Sequence, residues 1–403
     1  MRDQSITGVL LLASLLLIGC DNSLTRRQES KLEIPEGVSV DAFVQATNEF
    51  SQQYGRSPDR MDVFSWLAES SIAKQDWQVA MACLQEIPDA HPQYGWIARF
   101  QQADVHLEFH QGEAALEQYR RFLELAPDDP RLTGYRVHAE EGIVYILGIL
   151  LQFEERQPML QTLVSQQLSD PFHTMLYCFP TVFRWNGPAA VETLDRWLEQ
   201  SPNSLALRAA KAKYLASLGE VDQALALARA MLDEAPEAPA VLDAAMYVFE
   251  QAGDLESLER LATSPVVRRG GSWSAPIYRG QIALRKRDFT LAIAEFRVAL
   301  ELDGASAAAW TGLAQAARLT GDKQLADDAT IKVQTLARIQ NRLGWSGQEP
   351  DNPDPLVEIG ELCRTAGLLD QARVIAQVAV RVNDKHAGAQ QLLESLQVEE
   401  GKP

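Results

Sequence analysis

The chain has 403 residues, 46% of them hydrophobic and 23% charged, with 37 basic and 55 acidic side chains and a net charge of −18. That length suits two domains or one elongated array, and the composition excludes a disordered or collagen-like chain. A negative field of this size disfavours nucleic acid and anionic lipid headgroups as partners.

In chain order, the first feature is the stretch LLASLLLIGCDNS, Leu11 to Ser23. From Gly8 to Gly19 the chain is apolar except for Ser14, and the run ends at Cys20. A helix of that length rises about 18 Å, too short for a hydrocarbon core of ~30 Å, so a signal-peptide apolar region is expected rather than a spanning helix. Leu17-Ile18-Gly19-Cys20 resembles the lipobox of bacterial lipoproteins. That resemblance implies diacylglyceryl modification of the Cys20 thiol, cleavage of residues 1–19, and a lipid-anchored protein on the periplasmic side of the inner or outer membrane of a bacterial envelope. Residues 20–40 are polar, hold Pro35 and Gly37, and read as a flexible tether. Phe43, Ala46, Phe50 and Tyr54 then recur at helical spacing.

From there a rhythm governs the chain, clearest in SLGEVDQALALARAMLDEAP, Ser217 to Pro236. Small residues, joined in some frames by a turn glycine or a closing proline, recur at fixed offsets in frames starting at Met61, Trp96, Pro171, Leu205, Pro239, Trp273, Ala307 and Pro353. The frame from Ala307 places Trp310, Leu313, Ala314, Gly321 and Ala326 at positions 4, 7, 8, 15 and 20. This resembles the tetratricopeptide repeat, two antiparallel helices in about 34 residues. Small residues at positions 8 and 20 let the helices cross closely, large residues at 4, 7, 11 and 24 fill the space between, and proline at 32 ends the second helix. The resemblance implies an all-α, right-handed superhelical solenoid of helix–turn–helix repeats.

Phase breaks divide the array. The expected segments are an N-terminal helix with repeats over 41–129, divergent and regular repeats over 130–264, repeats over 265–340, a loop over 341–352, and a last repeat with a capping helix over 353–403. After PRLTGY the frame restarts nearer residue 137, and the apolar run Gly142 to Phe153 reads as a buried first helix. VVRRGGSWSA reads as a solvated bridge around Arg268 and Arg269. AGAQQLLESLQ supplies the cap that an open solenoid end requires.

Catalytic signatures are missing: there is no G-x-x-x-x-G-K, G-x-S-x-G or H-E-x-x-H. His106 and His110 share a helical face but fall short of the three or four ligands of a zinc site. Cys83, Cys178 and Cys363 have no metal-ligand spacing and fall inside predicted helices, as buried small hydrophobes do. Trp185, Trp197, Trp310 and Tyr247 fall mostly at packing positions. A non-catalytic protein with no cofactor and no metal is expected.

Stacked helical pairs present a groove for extended peptides or partner helices. In the family the groove is lined by positions 2, 5, 9, 12 and 13 of each first helix, and some members clamp acidic chaperone tails there with Lys and Asn. That set is missing here, since position 5 reads Ser65, Phe100, Met175, Ala209, Asp243, Ile277, Thr311 and Val357. The partner-lining candidates are apolar at Phe172, Met175 and Phe179 and polar at Lys213, Tyr247, Glu250, Gln281 and Arg285. Val182 and Phe183 would continue the apolar strip; Pro180 must kink the helix, and a kinked helix would bury the strip instead. The expected role is a protein-interaction scaffold binding a protein or extended peptide, with a membrane contact through the lipid anchor and no nucleic acid. A soluble accessory subunit of an enzyme and a structural homo-oligomer are the alternatives.

Overall fold

A computed structural model describes residues 34–181, 187–270, 272–343 and 352–400, and every regular element among them is helical. Residues 1–33, with the expected signal segment and Cys20, lie outside the described residues, as do Val182, Phe183 and Trp185. No described helix is long and apolar enough to cross a membrane. The chain divides into two compact units, residues 1–135 and 136–403.

The first unit holds α1 (Val40–Tyr54), α2 (Arg60–Ala73), α3 (Trp77–Gln85), α4 (Gly95–Glu108) and α5 (Gly112–Leu125), and each packs on the next in pairs. Phe43, Ala46 and Phe50 are the buried stripe of α1, which Ser39 caps at one end and the left-handed Gly55 closes at the other. At the start of α2, Asp59 and Asp62 form a reciprocal capping box. Asp62 also accepts from Tyr94 Oη at 2.7 Å and from Arg56, so this buried carboxylate is fully hydrogen-bonded. Burial opposes its ionisation, but these donors outweigh it and hold the carboxyl below its ordinary range.

The helix α6 (Thr133–Ile149) runs through the division between the units. The second unit continues with α7 (Phe153–Ser165), α8 (Pro171–Cys178), α9 (Gly187–Gln200), α10 (Leu205–Ser217), α11 (Val221–Glu234), α12 (Pro239–Ala252), α13 (Leu255–Ala262) and α14 (Pro265–Gly270). It ends with α15 (Ala275–Arg285), α16 (Phe289–Leu302), α17 (Ala307–Thr320), α18 (Lys323–Leu343), α19 (Asp354–Thr365), α20 (Leu369–Val382) and α21 (Ala387–Glu400). Helices α10, α12 and α17 begin at Leu205, Pro239 and Ala307, the same residues at which the sequence frames start. This is the all-α solenoid of helix–turn–helix repeats that the periodicity predicts.

The close crossings are visible atom by atom. A Cβ added at Gly312 would lie 2.2 Å from the Phe296 ring, and one at Gly280 would lie 2.7 Å from it. Position 8 of one repeat, Gly280, and position 6 of the next, Gly312, are thus small because the Phe296 ring at position 24 of α16 fills the space against two first helices. Ala224 and Ala326, at position 20, are 0% and 3% exposed. Among the described residues position 15 is left-handed in Gly219, Gly253, Gly321 and Gly367, and equally in Gln75, His110, Leu151 and Arg287. The backbone needs the conformation whether or not glycine supplies it.

Four expectations are corrected. The apolar run Gly142–Phe153 is not one helix; α6 ends at Ile149, and the chain turns through left-handed Leu151 into α7. Pro180 does not kink α8, which stops at Cys178 because the residue before a proline is driven out of the helical region. The Arg268–Arg269 bridge is largely helical, as α14. Finally α18 runs on to Leu343, into the stretch expected to be loop.

Candidate functional site

The second unit contains a cavity of about 760 Å³. Successive first helices provide its floor: Lys213 and Ser217 from α10, Asp243, Tyr247, Glu250 and Gln251 from α12, Ile277 and Gln281 from α15, and Ala307 and Ala308 from α17. Positions one turn apart on a helix share a face, so residues 5, 9 and 12–13 of neighbouring repeats converge once the repeats stack. Phe153 and Glu154 at the start of α7 and Thr181 after α8 supply further lining.

Segment 153–181 is tied to the repeats at several points. The Trp273 amide donates to Glu154 Oε1 at 3.1 Å, and Thr181 Oγ1 donates to Asp303 Oδ2 at 2.8 Å. Arg381 Nη2 donates to the Ser169 carbonyl at 3.1 Å, joining α20 to the turn before α8. Helix α8 packs on α20, and Met175, Cys178 and Phe179 share a core with Leu336, Ile359, Cys363 and Ile375. Arg156 is 1% exposed; its Nη2 donates to the Pro180 carbonyl at 3.0 Å, and its guanidinium lies 4.9 Å from the Phe153 ring centroid. Burial pulls its pKa down to about 10.

The charges in the cavity are unequally compensated. Lys213 Nζ is 2.6 Å from Asp243 Oδ2 and 5.9 Å from the Phe153 ring centroid. Burial works against the Asp243 carboxylate, but Lys213 and the donating Ser274 hydroxyl outweigh it and hold its pKa below the ordinary value. Asp303 differs. It is 7% exposed and takes hydrogen bonds from Thr181 and from the Ala305 amide at 3.0 Å, but no basic group faces it among the described residues. Burial pushes its carboxyl up. The Oε1 of Gln281 is buried with no hydrogen-bond donor.

Of the residues expected to line a partner groove, Lys213, Tyr247, Glu250 and Gln281 all line this cavity. Arg285 is exposed beyond the end of that row and does not line it; Phe172 is 38% exposed on α8 and stacks edge-on against His173. Met175 and Phe179 are corrected. They are 1% and 0% exposed and face the core of the last repeats, because ending α8 at Cys178 turns its apolar side inward against α20. Glu154, Trp273 and Asp303 escape a reading by repeat position, since they lie in turns and at helix starts rather than at the groove-lining positions.

The other sequence candidates resolve differently. His106 Nδ1 lies 2.6 Å from Gln111 Oε1, while His110 takes the left-handed turn position. Cys83, Cys178 and Cys363 are buried, and burial pushes the thiols of Cys83 and Cys363 up to about 12. Trp197 is buried, and the partly buried Trp310 packs against the core around Phe296 and Leu313 with its Nε1 donating to the Gly304 carbonyl at 2.9 Å.

Residues 278–329, which hold α16 and α17, match the family model described as "Tetratricopeptide repeat". No curated protein sequence matches the chain. Among solved structures, the chain is similar to YrrB, described as a TPR protein with an unusual peptide-binding site, at 16% identity and TM-score 0.30, over 51% of this chain and 99% of that one. It is similar to a chain of the APC/C hetero-tetramer Cut9–Hcn1 at 13% identity and TM-score 0.34, over 90% of this chain and 82% of that one. A tetratricopeptide repeat protein from Parabacteroides merdae is similar at 14% identity and TM-score 0.32, over 75% of this chain and 98% of that one.

Proposed function

We propose that this chain, which carries a tetratricopeptide-repeat segment at residues 278–329, is a non-catalytic scaffold that holds a partner protein or peptide in the cavity of its second unit. The observation that carries the reading is convergence. Four side chains chosen from repeat position alone, Lys213, Tyr247, Glu250 and Gln281, line one space of about 760 Å³. That size is within the range of sites that enclose a ligand of several rotatable groups. Tyr247 is the aromatic of this row, and half-buried aromatics of this kind carry most of the energy in protein interfaces. Tyr247→Ala is expected to weaken a co-purifying partner by more than about 1 kcal/mol while the chain, which loses some core packing, stays folded at the assay temperature. A partner held equally by wild type and variant places binding elsewhere.

The second half of the proposal is the anchor. Leu17-Ile18-Gly19-Cys20 supports acylation of Cys20 and retention of the scaffold at a bacterial envelope membrane, with residues 20–40 as its tether. Burial of acyl chains contributes about 0.8 kcal/mol per methylene, so two chains give durable attachment. Cys20→Ala is expected to move the protein from the membrane to the soluble fraction or to leave it uncleaved. Mass spectrometry that finds residues 1–19 retained and Cys20 unmodified in the wild type contradicts the anchor.

A further inference from the structure

We infer that the cavity of the second unit selects an organic cation, the guanidinium or ammonium group of a basic side chain presented by an incoming peptide. The inference deepens the scaffold reading and rests on it. It starts from a mismatch between donors and acceptors. Among the described residues that line the cavity Lys213 is the one basic side chain, and its ammonium group is engaged by Asp243 at 2.6 Å. Glu154, Glu250 and Asp303 line the same space, and none of them forms an ion pair among the described residues. Asp303 is 7% exposed, and among the described residues its only donors are the neutral Thr181 hydroxyl and Ala305 amide. Removing a carboxylate from water without a compensating positive charge is costly, and a cation entering the site relieves that cost.

Two further observations point the same way. Among the described residues nothing donates to the buried Oε1 of Gln281 in the lining, and a multi-donor head such as guanidinium supplies a donor while it reaches a carboxylate. Tyr247 and Trp273 border the space with aromatic rings, which attract cations at their faces. The site already holds one such contact, Lys213 Nζ at 5.9 Å from the Phe153 ring centroid. The net charge of −18 favours the approach of a basic segment, and steering of this kind weakens with salt. The volume exceeds what one side chain fills, so the occupant is a short stretch of chain rather than a lone ion.

The test is calorimetric titration of the full chain with three synthetic hexapeptides on a glycine–serine background, carrying two arginines, two glutamates or two leucines, with spermidine as a free amine. The inference predicts that the arginine peptide binds at least tenfold more tightly than the other two peptides and than spermidine. Glu250→Gln and Asp303→Asn should each reduce that affinity at least fivefold. Glu250 is partly exposed, so its variant folds and keeps the test decisive even if Asp303→Asn lowers stability. Preference for the glutamate or leucine peptide, lost in Tyr247→Ala, overturns the cation inference and leaves the peptide site standing. Spermidine equal to the arginine peptide keeps the cation chemistry and removes the peptide reading. No binding by any of the four overturns both.

Discussion

At the scale of single residues, the fold is governed by where a Cβ fits and where the backbone turns left-handed. Gly312→Ala brings a methyl group to 2.2 Å from the Phe296 ring, a distance the close crossing of α16 and α17 cannot absorb without a shift. It is expected to cost about 1–3 kcal/mol, read as a lower denaturation midpoint, with Phe296→Leu in the same chain restoring part of the loss. Arg287 makes the opposite case. It is exposed and holds φ 59° at the position where four other repeats place glycine. An L-residue pays about 1–2 kcal/mol for that conformation, partly offset by glycine's greater unfolded-state freedom. Arg287→Gly should therefore stabilise the chain by about 0.5–1 kcal/mol, measured by chemical denaturation; a loss of stability would contradict the strain assigned to that turn.

At the scale of elements, what was legible in the sequence is what is local. Glycine, alanine and aromatic spacing within one repeat sets the helix pair, so Leu205, Pro239 and Ala307 could be read as starts directly. The position of Tyr247 and Gln281 on a shared face followed from helical geometry and repeat length alone. The course of segment 153–181 was not legible, because its ties are to residues far along the chain: Ser169 to Arg381, Thr181 to Asp303, Glu154 to Trp273. The apolar row Met175–Phe179 looks the same in sequence whether it lines a groove or fills a core. Only the packing of α8 on α20 decides it. Phe179→Ala is accordingly a core change, expected to cost about 3–5 kcal/mol and to lower the melting temperature. If the variant instead melts like wild type and binds its partner less well, the residue belongs to the binding face.

At the scale of the whole molecule, two buried titratable groups, Glu140 and His173, contribute stability that falls as pH rises. Burial pushes the Glu140 carboxyl up to about 7, and its Oε2 has no hydrogen-bond partner. The folded chain holds that proton more tightly than the unfolded one. Its contribution is therefore present at low pH and is lost as pH rises from the ordinary carboxylate range through about 7. His173 acts in the same direction. Burial opposes its charge, but Asp170 at 2.8 Å and the nearby Glu141 outweigh it and raise its pKa above 6.5. That contribution is complete below the unfolded value and disappears as pH rises through the folded one. Glu140→Gln should flatten the profile between about pH 5 and pH 8 and raise the melting temperature mainly at the upper end; a uniform change at all pH values would assign Glu140 another role.

The central claim is that the second unit holds its partner in the cavity between α10, α12 and α15. Hydrogen exchange of the full chain with and without a bound arginine-bearing peptide tests it most directly. The account predicts new protection in peptides covering Lys213–Ser217, Tyr247–Gln251 and Trp273–Gln281, together with Phe153–Glu154, and little change in residues 40–125. Protection confined to residues 40–125, or to the second helices α11, α13 and α16, would contradict it.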